Sequence, residues 1–206
     1  MTVHDPEPGG ADEAPTPARR AHGGGRDALI DAAAELIAEQ GLRGVSHRTV
    51  ADRAGVAHGL VRHHFKTLDS LVLEAVRRAG EESITLSLLE PGTGDLGDLA
   101  AGLPGHVRDE PYKHAMSYEL AREGLRRADL GEVMRGVYDD YVDAVRRELE
   151  RAGINEETDA LARVVFAALD GLVLQQIVRG RPGDLESGIA RLRELLAPLP
   201  ASKGST

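Results

Sequence analysis

Cationic and imidazole side chains crowd one short stretch of this chain: Arg48, His58, Arg62, His63, His64 and Lys66 all fall between positions 46 and 71. Three chemistries use such residues: metal ligation, acid–base catalysis, and the binding of phosphates and base edges. His58 and His63 are five apart, so they diverge around a helix, and no carboxylate or thiolate lies between them. That spacing argues against a metal site. No GxSxG, HExxH or distinctive paired-carboxylate motif accompanies the histidines, so no catalytic residue is assigned and no enzyme activity is expected. Phosphate and base binding remains. A guanidinium fork matches guanine O6 and N7, while lysine and histidine neutralise or hydrogen-bond phosphate oxygens.

The elements that must position these groups are legible around them. With Gly55 as the turn residue, Val50, Ala51, Ala54, Val56 and Val61 face inward across a helix-turn-helix, and Ala51 is small enough to let the two helices touch. Gly55 can take the left-handed conformation that ends the first helix, which costs a residue with a side chain about 1–2 kcal/mol. Ser46 caps that helix. An earlier helix carries Leu29, Ala33, Leu36 and Ile37 at amphipathic spacing and stops at Gly41; Phe65 is expected in the core. The helix 58–64 would then enter a major groove with His58 and Arg62 one turn apart on its outer face. Gly59 allows close approach, Leu60 reaches a thymine methyl, and Arg48 and Lys66 hold phosphates. Arg19, Arg20 and Arg26 form a basic arm within reach of a minor groove.

Gly41, Ser46, Ala51, Ala54, Gly55, Val56, Gly59, Val61, His63, Phe65, Asp69 and Leu71 together resemble the pattern of the TetR family of repressors, over positions 26–76. The sequence departs from that pattern at Ala57, where a capping Ser or Thr is common, at Arg62, where Tyr is usual, and at Leu68, where Lys is usual. The resemblance implies that His63 is a phosphate donor. It also implies an all-α chain: an N-terminal three-helix helix-turn-helix DNA-binding domain (26–76) linked to a C-terminal helical ligand-binding and dimerisation domain (77–197). Residues 1–25 form a disordered tail and 198–206 a flexible end in this reading. The implied function is a homodimeric, cytoplasmic repressor that binds a palindromic double-stranded DNA operator and answers to a small-molecule effector, without a cofactor. The alternative is a dimeric protein-interaction module with a vestigial reader, favoured by Ala57 and Leu68.

Composition agrees with that division. The net charge of −9 argues against a nucleic-acid partner until it is located: residues 18–66 carry eight Lys or Arg against five Asp or Glu, whereas 67–206 carry 17 against 25. Positive charge sits on the reader. Hydrophobic residues make up 41% of the chain, enough for a sizeable core, and the absence of cysteine fits a reducing compartment. The longest unbroken apolar run, 164–169, is far short of a bilayer span, so no membrane partner is expected. Glycines at 92, 94 and 97 satisfy GxGxxG, but no strand precedes them and the dinucleotide reading is rejected.

Helices are expected over 69–90, a short one over 98–103 ended by Pro104-Gly105, then 111–127, 130–152, 157–179 and 184–196. The helix 157–179 is apolar on more than one face and should be buried on two sides, pairing with 184–196 and their symmetry mates in a four-helix dimer interface. Tyr112, Met116, Tyr118, Tyr138, Tyr141 and Phe166 are the candidate walls of a ligand pocket, with plain core packing the equally weighted alternative for each. Asp170-Gly171 interrupts an apolar helix. A buried acid needs a partner, so ligand contact or close helix approach is expected there.

Overall fold

A computed structural model describes residues 25–87, 89, 92–155 and 157–198, and among these it contains nine α-helices and no strand. They are α1 Gly25–Gln40, α2 His47–Ala54, α3 His58–His64, α4 Leu68–Leu86, α5 Leu103–Asp109, α6 Pro111–Gly124, α7 Ala128–Arg151, α8 Thr158–Arg179 and α9 Asp184–Leu196. Nearly all of the tail expected at 1–25 and of the end expected at 198–206 lies outside the described residues, as do Arg19 and Arg20.

The reader forms for the local reasons its sequence contains. Ser46 accepts from the Thr49 amide at 3.1 Å while Thr49 Oγ1 accepts from the Ser46 amide at 2.9 Å, a reciprocal cap at the start of α2. Gly55 ends α2 at φ 68°, ψ 33°, the left-handed conformation its lack of a Cβ permits. Val50, Ala51 and Val61 are fully buried and Phe65 nearly so, while Ala54 and Val56 pack half-buried against the same core. Ala57 gives α3 no side-chain cap, and the helix still forms. Thr67 caps α4 by accepting from the Ser70 amide.

Two expected elements change where backbone packing outweighs local signals. α4 ends at Leu86 rather than 90, and the short helix expected over 98–103 is instead α5, with Pro104 in its first turn; a 3-10 turn occupies Leu96–Asp98. Proline is tolerated at a helix start because its missing N–H has no intrahelical partner there, so Pro104 opens a helix instead of closing one. The glycine-rich loop also receives a structural explanation. Glu148, 1% exposed, accepts from the Gly94 amide at 2.8 Å and pairs with Arg151 at 3.2 Å. A Cβ on Gly92 would stand 1.7 Å from the Glu148 carboxylate. These glycines let a loop close over a buried acid, a role unrelated to pyrophosphate binding.

One core runs from Leu29 in α1 through Val61 and Leu71 to Leu120, Leu130 and Val137, and a second joins α5, α7, α8 and α9. The first core crosses position 76, in the middle of α4, so reader and C-terminal helices are packed together. By length and composition alone α8 is long and apolar enough to cross a membrane, although its longest unbroken apolar run is only 164–169. Its inner face, Ala162, Val165, Leu169 and Val173, is buried in the second core, whereas Val164, Leu174 and Val178 are exposed. Within one chain α8 is therefore buried on one side, not two.

Candidate functional site

α3 presents His58, Gly59, Arg62 and His63 to solvent, with Lys66 exposed just beyond its end and Arg48 on α2 beside it. A Cβ on Gly59 would meet nothing within 4 Å, so a flat polymer can approach the helix here. Asp52, which sequence reading did not weigh, organises this face: His58 Nε2 lies 2.7 Å from one carboxylate oxygen and Arg48 Nε 3.6 Å from the other. The His58 hydrogen bond, with the Arg48 guanidinium nearby, holds the Asp52 carboxyl below its usual range. The i, i+4 spacing of Arg48 and Asp52 was the available signal. Leu60 is half-buried and packs beside Gly25, whose Cβ would sit 2.9 Å from Leu60 Cδ2, so it faces α1 more than the open surface. Arg26 does not belong to a free arm. Its guanidinium pairs with Glu74 and lies 5.0 Å above the Phe65 ring, because a cation over an aromatic face is attracted to it.

A cavity of about 1040 Å³ lies between the reader and the C-terminal helices. Tyr138, Tyr141 and Phe166 make its aromatic wall: Tyr141 stacks on Phe166 with centroids 5.2 Å apart and Tyr138 meets the same ring edge-on at 5.4 Å. Met116, Tyr118 and Asp170 also line it. Tyr118 Oη donates to Asp170, 3.0 Å from Oδ1 and 2.9 Å from the backbone carbonyl, so the acid inside the apolar helix has its partner. Tyr112, on the first turn of α6, stands at the edge of the cavity and is 78% exposed, unlike the other five aromatic and Met candidates.

Burial governs ionisation here. It pushes Asp170 above the usual carboxylate range and Tyr118 well above the usual phenol range, and it raises Tyr138 to about 12. His114 is buried, edge-on to His106 at 4.7 Å, and desolvation lowers its pKa to about 4 from 6.5. The unfolded chain therefore takes up this proton first as pH falls. Stability should decline between about pH 6.5 and 4 and the contribution should be constant outside that window, to a total of about 3 kcal/mol from this residue. Denaturant melts at pH 7 and 4.5 check this: His114→Phe should lose less stability across the interval than the wild type. An identical loss in both would refute it.

α1 and α4 belong to both regions. Asp31, Ala34 and Ile37 of α1 and Ala75, Val76 and Ser83 of α4 line the cavity, while the same helices enclose the reader's core. Arg78 of α4 reaches Asp31 at 3.1 Å and Asp27 at 3.2 Å, tying the two together. That α1 borders the cavity was not legible in the sequence, because a helix's second neighbour leaves no mark on its amphipathic pattern.

Comparison with known proteins adds to this geometry. Residues 29–75 match the model described as "Bacterial regulatory proteins, tetR family", and residues 91–199 match "Tetracyclin repressor-like, C-terminal domain". The chain is 46% identical over 54 residues to the HTH-type transcriptional repressor KstR2 of Rhodococcus jostii, 26% of each chain. It is 38% identical over 132 residues to KstR2 of Mycolicibacterium smegmatis, 63% of this chain and 62% of that one. It thus spans less than two thirds of either relative's length. Among solved structures, the multidrug binding protein EbrR complexed with imidazole superposes with a TM-score of 0.62 at 31% identity, over 86% of this chain and 97% of that chain. EbrR has also been solved with proflavin and with ethidium.

Proposed function

The chain belongs to the TetR family of bacterial regulatory proteins, a family of transcriptional regulators rather than enzymes, and from that premise we propose that it is a cytoplasmic homodimeric repressor released from a palindromic operator by a small molecule. Residues 26–76 are its DNA-binding unit and 77–197 its effector and dimerisation unit. The observation that carries the proposal is that α1 and α4 are at once walls of the cavity and the frame of the reader. A molecule that fits the cavity better when those helices are displaced shifts the population away from the DNA-binding arrangement, with a coupling typically of about 1–3 kcal/mol. The exposed face of α8, with α9, meets its copy in the partner and sets the distance between the two α3 helices.

The effector in this reading is a flat organic cation. Its body stacks on Tyr138, Tyr141 and Phe166, with Met116, Tyr118 and Asp170 around it. The lining carries seven carboxylates, including Asp170, Glu82 and Glu110, against Arg78 and Lys113, and such a field attracts cations and repels anions. EbrR, solved with proflavin and ethidium, supports this choice. Mobility shift on the DNA flanking the protein's own gene, with and without ethidium, tests the whole proposal: a retarded band that ethidium releases is expected. The dye's own intercalation is controlled with an unrelated DNA-binding protein. Absence of any specific band would leave the interaction-module reading in its place.

At the DNA surface, Arg48, His58, Gly59, Arg62, His63 and Lys66 form the proposed contact set, while Leu60, turned toward α1, is left out of it. Lys66→Ala should weaken binding to every sequence nearly equally and reduce the log–log salt slope by about one unit per half-site, since a phosphate contact releases counterions without reading bases. Arg62→Ala should cost about 1–3 kcal/mol on the operator and much less on a site altered at the base it reads. Equal losses on both sites would assign Arg62 to phosphate instead.

A further inference from the structure

Among the described residues, two polar atoms on the cavity wall have no hydrogen-bond partner: Ser87 Oγ, just past the end of α4, and His114 Nε2 on α6. Ser87 is 1% exposed and His114 9%. Buried polar atoms are nearly always paired, so two orphans on residues that line one cavity point to a ligand's polar group as the missing partner, reached by a small rotation of either side chain. Neither residue belongs to the aromatic wall. His114 precedes Tyr118 by four residues on α6, so the two lie on one face about one turn, roughly 6 Å of helix rise, apart. A ring system seated beside Tyr118 would reach the orphan atoms with a substituent at its edge.

We propose that Ser87 Oγ and His114 Nε2 form an anchor for an exocyclic N–H group of the planar cationic effector, and thereby decide which flat cations the cavity admits. The inference rests on the effector reading above. The chemistry favours a donor. Burial and the neighbouring His106 keep the His114 ring neutral, so Nε2 can accept, and a serine hydroxyl accepts as well. Glu82, Asp109 and Glu110 line the same cavity and favour a donor that shares the ligand's positive charge, as the amino group of an aminoacridinium does. A carboxylate or phosphate at this point would face those acids.

Proflavin and acridine orange share one acridinium ring and differ in that methyl groups replace every exocyclic amino hydrogen in the second. Fluorescence titration of the full chain with both dyes isolates the anchor. The wild type should bind proflavin about tenfold more tightly than acridine orange, because a site built to hydrogen-bond a substituent rejects the analogue lacking it. Ser87→Ala and His114→Phe should each reduce that preference to about threefold or less, chiefly by weakening proflavin. Ser87→Ala removes a single oxygen and should fold normally, so a defect confined to His114→Phe would not obscure the result. Equal binding of the two dyes by the wild type, or a preference undiminished in both variants, would overturn the anchor and leave the aromatic cavity standing. Failure of the wild type to bind either dye would overturn the anchor together with the flat-cation reading.

Discussion

A chain carrying both Leu174→Lys and Val178→Lys should sediment as a monomer at micromolar concentration and lose at least about a hundredfold in operator affinity. Val164, Ala167, Gly171, Leu174 and Val178 recur along α8 at spacings of three and four, and all but half-buried Gly171 are exposed in the single chain, Leu174 by 44% and Val178 by 75%. Such an apolar stripe, on a helix whose other side is already packed, is the surface the proposed dimer would cover. A Cβ on Gly171 would meet nothing within 4 Å. The glycine therefore serves no contact inside the chain, and it leaves room for a partner helix to come close. In a two-fold interface both copies carry the changes, so two substitutions place four like charges within one patch where apolar surface was buried. The monomer retains one reader, and it loses the gain from binding two half-sites about 34 Å apart at once. Sedimentation velocity gives the mass, and mobility shift gives the affinity. An undisturbed dimer would move the interface elsewhere on the molecule. Leu169, at 2% exposure in the second core, is the wrong residue for this test because a lysine there would disrupt folding first.

Ethidium affinity should rise with pH by up to about tenfold per unit until Asp170 is ionised in the free protein, and then level off. The direction follows from the site. In the free protein burial holds the Asp170 carboxyl above its ordinary range, with the hydrogen bond from Tyr118 opposing the shift. A permanently charged cation stacked on Phe166 favours the carboxylate, so binding expels a proton from any molecule in which Asp170 is protonated. Affinity therefore increases with pH between the value of Asp170 in the complex and its raised value in the free protein. Tyr118, Tyr138 and Tyr141 are all shifted upward and stay protonated through this window. His106 and His114 are shifted downward, and a cation would displace protons from them as well, so the comparison that isolates Asp170 is with Asp170→Asn. That variant should bind ethidium more weakly on the plateau and show a flatter profile, read by fluorescence titration in buffers of constant ionic strength. A profile unchanged by Asp170→Asn would remove the acid from the recognition of charge.

The helix-turn-helix was readable before any coordinates because its determinants are local. A cap at Ser46, a left-handed glycine at Gly55 and apolar residues at 50, 51 and 61 act within a few turns of one another. The positions of α6 to α9 were legible to within a few residues for the same reason. Where a signal had two uses, the neighbours chose. Pro104 opens α5, and α4 stops at Leu86 ahead of a loop that Glu148 draws in from more than fifty residues away. Tertiary packing alone decided which aromatic residues share a wall, that Tyr112 lies outside it, and that Ser87, His106 and His114 face the same space. Periodicity records only that a helix has an apolar face, and carries no label for the element that face meets. For that reason α8 could be recognised from sequence as apolar on two sides, while only the fold showed which side the chain itself covers and which it leaves exposed.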